Sequence, residues 1–365
     1  MDDLVYELDP KGDVLLILDN VSQDLPDNLR DITTSSGWPD GLSNPAPPED
    51  EQNKSGKKAD EGGQGIEVSS VNVPECAQRR RLQIRASSKH LILASPQFER
   101  SLQDGFQEGT TLKATGCLEF PVRDWEAIPF LILMLIIHHR TRLVPREISL
   151  DRLVEIAQLV DYYECYEAVE AFSDSWLFSL RIKPLSPNSW KSFTLDEAVK
   201  TLFVSWVFNE AKVFEMSSRY LESRSKGTVT FSRLPVPCAI QDAINHSRET
   251  LITKTIASMH SLYSKLRDGP TQCSEVCDCA LLGALTKAMH RIGILPISST
   301  SSFEGISFVF LAHDCCNIEI PDYNCRDSYA ACSISEKVKP LIKDIERLNV
   351  GLDISKFAKL RSPHS

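Results

Sequence analysis

The side chains best suited to chemistry are cysteines in the last quarter of the chain. Cys273, Cys277 and Cys279 cluster ahead of an apolar stretch, and Cys315, Cys316, Cys325 and Cys332 follow, with His313 nearby. Thiolates are zinc ligands, and four of them on one ion would stabilise a small, loop-rich region. The best set is Cys277, Cys279, Cys325 and Cys332. Their spacing is not the paired Cys-x-x-Cys of a zinc ribbon, so free or buried thiols are the expected state, with no cofactor, and zinc is the alternative. His138-His139 reads as a helix end beside Arg140 and Arg142, where cations complement the helix dipole. Glu164-Cys165 lacks a third group to orient a nucleophile. Asp151, Glu155 and Asp161 read as a solvated helix face. There is no phosphate-binding glycine loop, dinucleotide fingerprint, zinc-protease motif or nucleophile elbow. The chain reads as a non-enzyme.

Composition bounds the rest. The 365 residues suffice for about two domains, and 42% of them are apolar, enough for sizeable cores. The formal charge of −10 argues against general affinity for nucleic acid or an anionic membrane. Arg79-Arg80-Arg81 is the one tight basic cluster and reads as a solvated strand entrance. The acidic N-terminus has no apolar core of a signal peptide. The longest apolar run, Ile128 to Ile137, is too short to span a bilayer and reads as a buried helix. An intracellular protein is expected, in cytoplasm or nucleus. The 11 cysteines are then reduced and behave mostly as small apolar residues.

These residues need elements to position them. Asp13 to Leu18 reads as a buried strand. Residues 22–78 are rich in Pro, Gly, Ser and acidic residues and read as a disordered acidic insertion, with weak strand character returning at Val68 to Val73. Leu82 and Ile84 alternate with polar residues as in a half-buried strand. Ser87 and Ser88 are placed to cap a helix carrying Leu91, Ile92 and Ala94. Ser95-Pro96 ends it and starts another, on which Phe98 and Leu102 lie four apart, with Gly105 as its stop. Leu118 to Val122 is a strand, and Asp124 is placed to cap the helix that follows. Further helices run from about Leu150 to Cys165 and from Ala168 to Leu180. Pro184-Leu185-Ser186-Pro187 marks a domain boundary. Beyond it Thr194-Leu195-Asp196-Glu197 is a capping box opening a helix to about Arg224. A turn-strand piece is expected at Val229 to Leu234. A long helix follows Pro237 to about Leu266, and two more lie near Val276 to Ile292 and Ser335 to Leu348.

Three strings carry a resemblance: Ser87-Ser88-Lys89-His90-Leu91-Ile92-Leu93-Ala94-Ser95-Pro96-Gln97-Phe98, Ile136-Ile137-His138-His139-Arg140, and Leu159-Val160-Asp161-Tyr162-Tyr163-Glu164-Cys165. They resemble the BTB (POZ) domain, specifically the BTB proteins of filamentous fungi. Leu202 to Phe208 and Leu282 to Lys287 resemble the helical extension of those proteins. Many BTB domains carry His where this chain has Ser87, but Ser is common in the fungal version. Ala330 stands where the fungal relatives often carry a His, two residues before the equivalent of Cys332, which argues against a shared metal site.

The resemblance implies an α+β fold: a BTB domain over 1–183, interrupted by the 22–78 insertion, then a mainly α-helical domain over 184–365. It implies a protein-interaction module that associates with itself or another protein. Some relatives bridge substrates to cullin ubiquitin ligases, so a cullin scaffold is the alternative partner. A metal-stabilised C-terminal domain with its own binding activity is the other alternative. The implied partner-binding candidates are Phe98, Leu102, Phe106 and Leu112, the last on an expected strand. Regular spacing of apolar residues favours Phe98 and Leu102 as core over that role. Neither nucleic acid nor membrane is an expected partner.

Overall fold

The structure is a computed structural model. It describes residues 3–21, 25–29, 80–103, 105–180, 182, 193–231, 233–296, 303–319 and 333–357. Most of the expected insertion, including Val68 to Val73, lies outside the described residues. The fold is mixed α+β, and the chain divides into two compact units, 1–180 and 181–365.

Among the described residues the first unit is built on four strands: β1 (Asp3–Glu7), β2 (Val14–Val21), β3 (Arg80–Ala86) and β4 (Leu118–Val122). Their order is β1-β3-β2-β4. β3 runs parallel to β1 and antiparallel to β2, and β2 runs parallel to β4. The register aligns apolar side chains in rows, because a strand alternates its faces with period two. Tyr6, Ile84, Leu16 and Phe120 form one row, and Leu4, Leu82, Leu18 and Val122 form the next. β4 tolerates Pro121 because it is an edge strand.

Six helices accompany the sheet: α1 (Ser88–Ala94), α2 (Pro96–Leu102), α3 (Gln107–Thr115), α4 (Ala127–Ile137), α5 (Leu150–Tyr163) and α6 (Tyr166–Ser179). All eleven residues of α4 are buried. A helix apolar on every side belongs at the centre of a unit, and α4 packs on α1, α5 and α6. The Trp176 indole on α6 donates to the Pro145 carbonyl at 2.9 Å.

Two helix starts differ from expectation. Glu126, not Asp124, is the N-cap of α4, and Asp124 adopts a left-handed backbone with φ of 65°. Ser87 is the N-cap of α1, but its hydroxyl caps nothing. The amides at this buried helix end are satisfied by distant groups instead. The Ser88 amide and hydroxyl donate to the Asp13 carboxylate at 2.7 and 2.6 Å, and the Ser87 amide donates to His138 Nε2 at 3.0 Å. His138 is the C-cap of α4, and its Nδ1 pairs with the Met134 carbonyl at 2.9 Å. These two bonds require a neutral ring with the proton on Nδ1. Burial lowers the His138 pKa from 6.5 to about 4. Next to it, Arg140 donates from Nε and Nη2 to the Leu8 carbonyl, holding the end of β1.

Residues 25–29 are the one described part of the expected insertion. The Tyr6 hydroxyl donates to the Pro26 carbonyl, and Arg80 pairs with Asp27 at 2.8 Å. Residues 25–29 therefore lie against β1 and the start of β3.

The second unit contains α7 (Leu195–Val207), α8 (Ala211–Arg224), α9 (Cys238–Asp268), α10 (Glu275–Ile292), α11 (Phe308–Cys316), α12 (Ile334–Glu346) and a 3-10 turn (Ile354–Lys356). The capping box at Thr194 and Glu197 is formed. The helix expected to run on to Arg224 is two helices, broken at Phe208–Glu210, where Asn209 has φ of 59°. Phe231 to Leu234 closes a turn rather than a strand. α9 is the centre: α8, α10, α11 and α12 pack on it around Leu251, Ile252, Met259, Leu285, Leu311 and Val338. No helix among the described residues is long and apolar enough to cross a membrane.

Two outcomes follow. Replacing residues 30–79 with about six Gly/Ser residues should leave the sheet intact and stabilise the first unit by about 2 kcal/mol through lower loop-closure entropy, read from chemical denaturation. His138 should make the first unit acid-sensitive. Its folded pKa lies below the unfolded value, so the associated stability is complete above pH 6.5. It is lost as pH falls through about 4, by at most about 3 kcal/mol. Denaturation midpoints between pH 7 and 4 measure this, and a flat profile contradicts it.

Candidate interaction surface

The four partner-binding candidates lie on or beside α2 and α3. Ser95 positions them. It is the N-cap of α2, where it accepts the Phe98 amide at 3.1 Å while its own hydroxyl donates to the Tyr163 carbonyl. One serine thus fixes the start of α2 against the end of α5. The Phe98 ring then stacks on Tyr163, with centroids 4.6 Å apart and planes 9° from parallel, and meets Phe120 edge-on at 5.8 Å. Stacked and edge-to-face aromatic pairs add to the burial energy.

Phe98 is 1% exposed and Leu102 is 6% exposed. Both belong to the core and offer no contact surface in this fold, which corrects their place among the partner-binding candidates. Phe106 is different. It is 56% exposed and is the N-cap of α3, where its carbonyl accepts the Thr110 amide and hydroxyl at 3.1 and 3.0 Å. Leu112 is half-buried on α3, not on a strand. Two glycines explain the helix. A Cβ at Gly109 would lie 2.1 Å from the Gln103 carbonyl oxygen, so only glycine lets α3 close on the end of α2. Gly116, with φ of 72°, ends it in the left-handed cap.

A second exposed aromatic continues from the same cluster. Tyr162 contacts Tyr163 edge-on at 4.9 Å and half-buried Trp125 at 5.4 Å, and its ring faces outward. An aromatic group therefore runs from half-buried Phe120 through buried Phe98 and Tyr163 to Tyr162 at the surface. Burial pushes the Tyr163 hydroxyl pKa well up. The Arg100–Glu164 ion pair at 2.6 Å joins α2 to the end of α5, but both partners are about half-exposed, so it contributes little. Cys165, fully buried, has its thiol pushed up to about 12. Burial therefore favours the protonated thiol over the reactive thiolate at neutral pH.

The two metal candidates among the described residues do not converge. Cys277 is buried on α10 and Cys279 is exposed. Two residues apart on a helix they point about 200° apart, so one ion cannot take both. Cys325 and Cys332 lie outside the described residues. No group of three or more His, Cys, Asp or Glu side chains placed to hold a metal ion is found among the described residues. Burial also raises the Cys315 thiol to about 12, away from the thiolate a metal needs.

The groups that organise this region, Asp13, His138 and Tyr163, have no local signature. Asp13 and His138 act across 75 and 51 residues of chain. No protein-family model matches the chain, and no curated protein matches it.

The division between core and surface has a measurable form. Phe98→Ala should destabilise the first unit by about 3–5 kcal/mol, as for other buried aromatics. Phe106→Ala should change stability by no more than about 0.5 kcal/mol, as at other exposed positions. Equal losses in urea denaturation would contradict the assignment.

Proposed function

We propose that the chain is a non-enzymatic protein-interaction module of the BTB type, acting by association with itself or with a second protein. One observation carries this reading. The three sequence strings that resemble the BTB domain lie far apart in the chain, yet they bond to one another in the first unit. Ser87 meets His138, His90 lies beside His138 and His139 with ring centroids 5.2 and 6.0 Å away, Ser95 meets Tyr163, and Phe98 stacks on Tyr163. Cross-linking of the motif residues in this way supports reading them as the framework of one domain.

The surface chemistry is consistent with the proposal. Among the described residues β1 is an edge strand whose outer side has no partner strand in the sheet, and its Val5 is exposed. Sheet edges of this kind accept a strand from another chain. Phe106 and Tyr162 present apolar rings to solvent, and aromatic residues are enriched in protein interfaces.

Light scattering coupled to size-exclusion chromatography tests self-association. The expected mass exceeds that of the 40.9 kDa chain at high concentration. Phe106→Asp should shift the population toward monomer without lowering the denaturation midpoint. A strict monomer at every concentration removes the self-associating form of the proposal.

A further inference from the structure

The second unit buries an ionisable group at a helix seam. Glu222, on α8, is 1% exposed. Its Oε2 accepts the Ser247 hydroxyl, on α9, at 2.9 Å, and its Oε1 has no hydrogen-bond partner. An ionised carboxylate offers several acceptor sites and needs several donors when buried, and here it has one. A protonated carboxyl suits the same space at far lower cost.

The charged surroundings do not rescue the anion. On its own helix Arg219 is the charged group that favours ionisation, and Arg219 is exposed. On α9, His246 and Glu249 flank the Ser247–Arg248 pair. The Arg248 guanidinium turns to backbone carbonyls: Nε donates to Ser225, and Nη2 donates to Phe303 and Ile306 at 2.7 and 2.9 Å. No group on α7, α11 or the 3-10 turn, which also pack on α8, acts on the carboxyl among the described residues.

We propose that Glu222 is a proton-operated latch between α8 and α9, holding its proton while the seam is closed and loosening the seam when it ionises. The seam matters beyond itself. Ser247 is next to Arg248, and the Arg248 guanidinium ties the chain after α8 to the segment before α11. Loosening α8 from α9 weakens that tie. Burial raises the Glu222 pKa to about 7 from an ordinary 4.5, so the latch works near neutral pH. A folded-state pKa above the unfolded one means the stability is complete below pH 4.5 and is lost as pH rises through about 7. This is the reverse of the acid sensitivity that His138 confers on the first unit.

Hydrogen exchange read by mass spectrometry on the full chain tests the latch, with rates corrected for intrinsic exchange. Between pH 5.5 and 7, amides of α8 and of α9 around Ser247 should lose protection by up to about tenfold per pH unit, then level off. Amides of α5 should not share this slope. Glu222→Gln, which imitates the protonated acid, should abolish the slope and keep high protection at pH 8. Ser247→Ala removes the one donor to the carboxylate and should move the midpoint to higher pH. A flat wild-type profile, or a slope retained in Glu222→Gln, overturns the proposal. Where Glu222→Gln yields no folded protein, an unchanged midpoint in Ser247→Ala overturns it.

Discussion

A buried helix start must find partners for its free amides, and in the first unit this requirement organises the fold. The start of α1 lies inside the protein, and its own serine hydroxyls do not cap it. The Asp13 carboxylate, from the turn before β2, and the His138 imidazole, from the end of α4, take the amides of Ser88 and Ser87. An unsatisfied buried amide costs about 1–3 kcal/mol, so the three segments are held in one arrangement. Arg140 extends the junction to β1 through the Leu8 carbonyl. The sheet, the α1–α2 pair and the central apolar helix are thus tied at one point, and the neutral His138 ring is part of the tie.

Ser95 and Tyr163 form the matching junction at the other end of α1. This pair decides which apolar residues are buried and which face solvent. Stacking on Tyr163 draws Phe98 inward, and Leu102 follows one turn later on the same face of α2. Phe106 lies beyond the end of that helix and escapes burial. Apolar residues of similar character in one short stretch therefore divide between core and surface, and the division is set by an aromatic ring from α5.

The second unit has a different polar interior. Four of its helices, α8, α10, α11 and α12, pack on α9, and the α8–α9 seam carries serines, a glutamate and an arginine instead of an unbroken apolar layer. Arg248 uses its charge on backbone carbonyls, which is how a buried guanidinium secures irregular segments. Glu222 has no such set of partners. The two units consequently respond to protons in opposite directions, through His138 in one and Glu222 in the other.

Much of the element list was legible in sequence because its signals are local. The capping box at Thr194, the Ser95-Pro96 junction, the apolar face of α5 and the long helix after Pro237 each depend on residues within a few turns of one another. β1 and α11 were not marked. β1 is a five-residue alternation that gains stability only by pairing with β3, and α11 is a nine-residue helix stabilised by packing on α8, α9 and α12. The break at Asn209 left the apolar pattern continuous and so left no trace in it. The sequence by itself determined the mixed α+β class and most of the helices, and it supplied the motif strings on which the proposed function rests. Only the tertiary structure decided that Asp13 and His138 cap α1, that Phe98 is core while Phe106 is surface, that Cys277 and Cys279 face apart, and that Glu222 is buried with one donor. The physical reason is range: periodicity and capping act over a few residues, whereas burial and the satisfaction of buried polar groups depend on segments brought together from far along the chain.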